Sequence, residues 1–249
     1  MISQPNVILV SGGSRGIGRA ICLELASRGN TIVFTYLSNE SKANELVHEI
    51  EQNGWPAPLA YQCDMSSFSE VRQLFQKIKQ HHKRVDAIVN NAGILGDGRP
   101  FMLTTDDGWW NVIKTNVASV TNTCRVALPM MIAQKGGKII NMTSLSGQKG
   151  NPGQSAYSAS KSAIVTFSKA LSKECGQFGV TINCVSPGLI ETDMTRELTE
   201  EYFSTKMAKT PLKRKGSPEE VANLVAYLIC DAPAYIVGQE MTIDGGIGG

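Results

Sequence analysis

What the sequence lacks narrows it first. No apolar run approaches the roughly 18 residues that a membrane-spanning helix needs. The six cysteines (Cys22, Cys63, Cys124, Cys175, Cys184 and Cys230) are scattered, with no C-x-x-C pair and no neighbouring histidine cluster. That argues against a metal site or a disulfide framework, and the thiols are expected to be small, mostly buried side chains. Only three histidines occur, His48, His81 and His82, all in polar, helix-like surroundings that predict solvated surface without chemistry. A net charge of +2 leaves no excess of one sign to attract nucleic acid. Met1–Pro5 has no basic region followed by a cleavage site, so a cytoplasmic chain is expected. No linker rich in Pro, Gly or charge and no internal repeat divides the 249 residues, which predicts one domain over 1–249.

What is present is alternation. Short apolar runs at Asn6–Val10, Thr31–Tyr36, Leu59–Cys63, Ala87–Val89, Lys138–Thr143, Thr181–Val185 and Glu240–Ile243 read as strands. Between them lie helix-period segments, among them Glu40–Gln52, Ser69–Gln80, roughly 105–134, and 218–228. The pattern predicts an α/β fold: a Rossmann-type, doubly wound parallel sheet of about seven strands with helices on both faces. Residues 194–217 are polar, carry Lys213-Arg214-Lys215 and show no strong period, so they are expected to form a substrate lid.

The first strand runs into Gly12-Gly13-Ser14-Arg15-Gly16-Ile17-Gly18 and then an amphipathic helix. Glycines there let backbone approach a pyrophosphate, and the helix N-terminus offers free N–H groups, so a dinucleotide is expected at this turn. An acid at the end of the second strand would hold the ribose hydroxyl of NAD, yet Tyr36-Leu37-Ser38-Asn39 contains none. With Arg15 in the turn and Ser38 and Lys42 in reach, NADP is the expected cofactor, and Glu40 is placed in the first turn of the next helix. Asp64, followed by Met65 after the third strand, is expected either to cap the next helix or to accept from an adenine amine. Asn90-Asn91-Ala92-Gly93 after the fourth strand either builds a turn or lets backbone pass close to a ribose.

Ser144 ends the fifth strand, and a Gly/Pro-bearing loop leads to a helix carrying Tyr157 and Lys161. At i,i+4 a phenol and an ammonium share one helix face. A tyrosine of pKa about 10 is a poor acid at neutral pH, and a neighbouring cation is expected to lower that value. The trio then suits proton transfer to a carbonyl oxygen, with Ser144 hydrogen-bonding the same oxygen. An exposed i,i+4 pair on a solvated helix is the plainer alternative.

Together G12-x-x-x-G16-x-G18, N90-N91-A92-G93, Asn116, Ser144, Y157-x-x-x-K161 and P187-G188, in that order, resemble the classical short-chain dehydrogenase/reductase family over essentially the whole chain. The resemblance implies that Tyr157 is the general acid–base. Lys161 lowers its pKa and binds the nicotinamide ribose, Ser144 positions the carbonyl, and Asn116 holds a relay water. It implies cofactor contacts at Asn90 and Gly93, with Asn91 and Ala92 beside them, and at Pro187, Gly188, Ile190 and Thr192. The stretches P-G-L-I-E-T-D-M-T and G-Q-S-A-Y-S-A-S-K look most like 3-oxoacyl-(acyl-carrier-protein) reductases of fatty acid biosynthesis. That implies NADPH-dependent reduction of a 3-oxoacyl thioester, on acyl carrier protein or CoA, by a homotetramer joined partly through the helices near 105–134 and 155–175. The alternatives are an NADP(H)-dependent ketoreductase or alcohol dehydrogenase for free small ketones or polyketide intermediates, and a non-catalytic nicotinamide sensor or scaffold. One departure concerns carrier docking: Pro129 stands on the long helix where such enzymes can carry Arg, with Lys173 the cation on the next helix.

Overall fold

A computed structural model describes residues 6–192 and 200–248. Met1–Pro5 and residues 194–199 of the expected lid lie outside the described residues. The strands are β1 (Val7–Val10), β2 (Thr31–Tyr36), β3 (Leu59–Gln62), β4 (Ala87–Asn90), β5 (Gly137–Met142), β6 (Val180–Pro187) and β7 (Glu240–Ile243). They form one sheet in the order β3-β2-β1-β4-β5-β6-β7, every neighbouring pair parallel. This is a single-domain Rossmann-type fold. The order turns back between β1 and β4, and at such a switch point the carboxyl ends of the strands leave a crevice for a ligand.

Period two divides β1 between two cores. Ile8 and Val10 face the layer of α1 (Gly16–Ser27), α2 (Glu40–Gln52) and the late helix Pro218–Ala226, packing with Ile21, Leu25, Leu46 and Val225. Val7 and Leu9 face α3 (Phe68–His82), α4 (Asp106–Ala133) and a long helix over Ser155–Cys175, packing with Leu74, Ile78, Met131 and Ile164. Both faces being covered, the strands read as continuous apolar runs.

Short side chains start the helices. Asn39 caps α2 with Glu40 in its first turn, as expected. Ser67 caps α3, and Thr105 caps α4. Asp64 is thus not the cap of α3. Its Oδ1 accepts from both the N–H and the hydroxyl of Ser66 at 2.8 Å, a local turn that ties up the carboxylate three residues before the cap position.

Four elements appear where the sequence suggested loop: 3₁₀ turns at Phe101–Leu103 and Gly176–Phe178, α5 (Leu145–Lys149) and a helix over Glu200–Lys209. We number the remaining helices α6 (Ser155–Cys175), α7 (Glu200–Lys209) and α8 (Pro218–Ala226), the last extended by a π-turn over Tyr227–Asp231. Five cysteines are buried and Cys230 is exposed. His48 and His81 are exposed, but His82 is half-buried, its Nε2 has no hydrogen-bond partner, and burial pushes its pKa down. Among the described residues no helix is long and apolar enough to cross a membrane.

Candidate active site

Ser144 leaves β5 in extended conformation and caps α5, its Oγ accepting from the Ser146 N–H at 3.2 Å. Helix α5 then presses directly on α6. A Cβ on Gly147 would lie 2.9 Å from the Lys161 Cβ and 3.0 Å from its carbonyl carbon, so only glycine permits this approach. The contact sets the distance between the Ser144 hydroxyl and the α6 side chains, and the Ser144 hydroxyl comes close enough to Tyr157 to favour its phenolate. Gly147 carried no signal in the sequence beyond its place three residues after Ser144.

Lys161 is 5% exposed, and its Nζ donates to the Met142 carbonyl at 2.8 Å and stands 5.6 Å from the centre of the Tyr157 ring. The expected lowering of the phenol is not what the structure produces. Burial pushes Tyr157 above its ordinary value, and the Ser144 hydroxyl only opposes this. Burial also pushes Lys161 down to about 8, with the nearby Cys184 sulfur acting the other way. Spacing brought the two groups together, but desolvation sets their proton affinities.

Asn116 is wholly buried on α4. Its Oδ1 accepts from Ile94 N–H at 2.8 Å, and its Nδ2 donates to the Ile94 carbonyl and the Ser160 hydroxyl, both at 3.0 Å. Ser160 in turn donates to the Tyr157 carbonyl at 2.7 Å. Asn116 therefore staples the chain leaving β4 to the turn of α6 that carries Tyr157. Gly93 lies between the two polar heads, where a Cβ would stand 3.0 Å from Asn116 Oδ1 and 3.6 Å from Lys161 Nζ.

The crevice at β1 and β4 is built from the other predicted residues. Gly12 has φ +65°, and a Cβ on Gly18 would overlap the Gly12 carbonyl and lie 2.6 Å from Asn91 Nδ2. Asn91 holds the turn, donating to the Ser11 and Gly12 carbonyls at 3.1 Å each. Ser11, which the sequence did not single out, accepts from both Asn91 and Ala92 N–H at 3.0 Å. Gly16, at φ +54°, lies 3.7 Å (as a built Cβ) from the Thr192 side chain, so the first turn and the segment after β6 meet. Ser14 and Ile190 are buried, Ile17 is half-buried, and Ile190 bridges to Gly216. At the end of β6, Pro187 leads to Gly188, where a Cβ would lie 2.7 Å from Asp244 Cα. Met65 is buried, and Asn122 of α4 holds its carbonyl at 3.3 Å.

Asn90 is the exception. It is 2% exposed and donates to Asn141 Oδ1 at 2.8 Å, so it points into the α4–α6 layer and lines no crevice. Strand alternation sends neighbouring side chains to opposite faces, and Asn90 falls on the packed one.

These residues fit a dinucleotide on the structure's own terms. Helix α1 begins with no side-chain cap and no acid in its first turn, whereas α2, α3 and α4 each have both. Its N–H groups are left to an outside acceptor, and a negative charge is favoured there. Arg15 is exposed, with no ion-pair partner among the described residues, while Lys42 is paired with Glu45. Tyr36 is half-buried and Ser38 exposed, with no carboxylate between them.

Helices α4 and α6 run away from this end of the sheet. Lys173 lies twelve residues beyond Lys161, about 18 Å along the helix, and Pro129 is as remote from Asn116. Neither stands on the rim of this chain's own site. A cation near the site among the described residues is Lys206 of α7, whose Nζ donates to Asn151 Oδ1 at 2.8 Å beside the start of α6.

A family model described as enoyl-(acyl carrier protein) reductase matches residues 12–248. A 3-oxoacyl-(acyl-carrier-protein) reductase from Synechocystis sp. is 42% identical over 97% of this chain and 96% of its own length. The corresponding reductase FabG from Staphylococcus epidermidis is 38% identical over 96% of this chain and 97% of its own. That from Chlamydia trachomatis is 38% identical over 96% of both.

Proposed function

Because the chain belongs to the short-chain dehydrogenase/reductase family, and is an oxidoreductase similar to 3-oxoacyl-(acyl-carrier-protein) reductases, we propose that it reduces a 3-oxoacyl thioester with NADPH. The observation that carries this reading is the Ser144–Tyr157 pair, two neighbouring hydroxyls with the Lys161 ammonium 5.6 Å from the phenol ring. The family model's description names reduction of a carbon–carbon double bond, and the relatives' names a carbonyl. Two converging O–H groups favour the carbonyl, because both can serve one oxygen as negative charge grows on it.

Family membership implies a nicotinamide cofactor, which supplies a hydride to the carbonyl carbon. Tyr157 gives its proton to the oxygen, Ser144 holds that oxygen in place, and Lys161 orients toward the ribose side from its anchor on Met142. Asn116 keeps Tyr157 at its station through Ser160, and a relay water behind Lys161 belongs to the same reading. Asp64 stands on the adenine side, its carboxylate already engaged by Ser66. Exposed Arg15 and Ser38 favour the 2′-phosphate of NADP over the bare hydroxyl of NAD. A homotetramer built partly on α4 and α6 accords with the outer face of α4, where Trp110 is 55% exposed.

The test is the initial rate with acetoacetyl-CoA and with carrier-linked acetoacetate, NADPH and NADH run side by side, in wild type and Arg15→Ala. Wild type is expected to prefer NADPH, and Arg15→Ala to lose about tenfold of that preference, the scale of one charge-assisted contact. Turnover of free ketones alone would overturn the thioester reading. Preference for NADH would overturn the cofactor assignment.

A further inference from the structure

A cavity of about 190 Å³ opens beside Tyr157, between the chain leaving β4 and the start of α6. Its apolar walls are Ile94, Leu95, Trp109, Val112 and Ala156, with Tyr157 at the reacting end. Asp97 is the carboxylate at its wall, neutral Thr104, Asn111, Gln154 and Ser155 supply its polar groups, and no lysine or arginine lines it among the described residues. The lining therefore suits a neutral apolar tail and opposes an anionic one.

Close packing bounds the space. A Cβ on Gly96 would lie 3.0 Å from Val112 Cγ2, and one on Gly153 would overlap the Gly98 carbonyl, so the two flanking loops touch through glycine. Trp109 forms the remaining wall. Its Nε1 donates to Ser155 Oγ at 3.3 Å, and its ring packs edge-on against Phe101 and Trp110 at 6.4 and 4.8 Å between centroids. A ring held on three sides does not swing aside easily. Behind it lies an exposed apolar strip, Phe101, Met102 and Leu103, at 67%, 87% and 62% exposure.

We propose that this cavity receives the acyl tail of the thioester, and that Trp109 ends it and so sets the chain length accepted. The proposal rests on the thioester reading above and adds the substrate class: short, unbranched, uncharged 3-oxoacyl groups. A space of this size holds a tail of a few carbons rather than a long chain. Without the indole the cavity runs on toward Phe101.

The experiment compares kcat/KM for the N-acetylcysteamine thioesters of acetoacetate, 3-oxohexanoate and 3-oxododecanoate, with NADPH, in wild type, Trp109→Ala and Val112→Ala. Wild type is expected to lose about tenfold or more between the 3-oxohexanoyl and 3-oxododecanoyl substrates. Trp109→Ala should close that gap, chiefly through KM, while kcat on acetoacetate stays near wild type. Val112→Ala deepens the same cavity without disturbing the aromatic cluster, and should shift the ratio in the same direction if Trp109→Ala folds poorly. Equal kcat/KM for all tails in wild type, or an unchanged ratio in the folded variants, would overturn the gate while leaving the thioester reading standing. No reduction of any thioester would remove both.

Discussion

Tyr157 sits between opposed influences, and under the proposed mechanism their balance decides which direction of catalysis it favours. Burial raises the phenol, Ser144 opposes, and Lys161 is itself pushed down to about 8. A raised phenol stays protonated through neutral pH, the state needed to hand a proton to a forming alkoxide. The reverse oxidation needs the phenolate and so gains as pH rises. Profiles of kcat/KM in both directions should show a reduction rate that does not climb between pH 6 and 8 and an oxidation rate that does. A reduction rate climbing with pH would contradict Tyr157 as the acid. Tyr157→Phe keeps the ring and its packing and loses the proton, so turnover should fall by about 10²–10⁴ with cofactor affinity retained. Near-normal turnover in that variant would remove the residue from the mechanism.

At the scale of elements, the glycine turn joins β1, α1 and the exit from β4 into one unit. Gly18 touches both the Gly12 carbonyl and the Asn91 amide, so Gly18→Ala must push α1 away from the strand ends. Overpacking of this kind costs about 1–3 kcal/mol, and here it displaces the N–H groups that would meet the cofactor. The variant should melt lower and bind NADPH at least about tenfold more weakly by fluorescence titration. A lower melting point with unaltered affinity would separate the turn from the cofactor.

This turn was legible in the sequence because its constraint is local: strand, glycines, helix. So were β2, α2 and β7, whose ends fall where apolar period and capping residues put them. The short α5 was hidden because five residues carry no period, and its support, Gly147 against Lys161, comes from a contact between elements. Helix α7 was hidden by polar composition. Asn90 shows the limit of motif reading, since its neighbours Asn91 and Gly93 lie at the glycine turn and beside Lys161 while it turns into the packed layer. Which face a strand residue takes depends on the layers above and below it, and no spacing states that. The direction of the Tyr157 shift was equally out of reach, because desolvation is a property of the packed molecule.

The whole molecule places five of its six thiols where burial opposes their ionisation. Cys22, Cys63, Cys124 and Cys184 all have their pKa raised by burial, Cys63 and Cys124 to about 12 and Cys184 to about 11, from an ordinary 9.0. In the unfolded chain these four lose protons as pH passes 9, while the folded chain holds them, so folding stability is full below pH 9 and is lost above it. Lys161 has the opposite sign. Its folded value of about 8 lies below the ordinary 10.5, so its contribution grows as pH rises through that window. Thiols with raised values, Cys175 and Cys230 among them, outnumber Lys161, so stability falls as pH rises above 9, by roughly 1.4 kcal/mol per pH unit for each thiol that titrates freely. A domain of ordinary stability, about 5–15 kcal/mol, cannot withstand two or three units of that slope summed over several thiols. Urea midpoints measured with reductant present should therefore hold between pH 8 and 9 and fall steeply from 9 to 10.5. Cys22→Ala and Cys184→Ala should each make the fall shallower by about one group's share, roughly 1.4 kcal/mol per pH unit, whatever their cost at neutral pH. A midpoint that stays level to pH 10.5 would mean that water reaches these thiols and that the two cores are looser than their packing indicates.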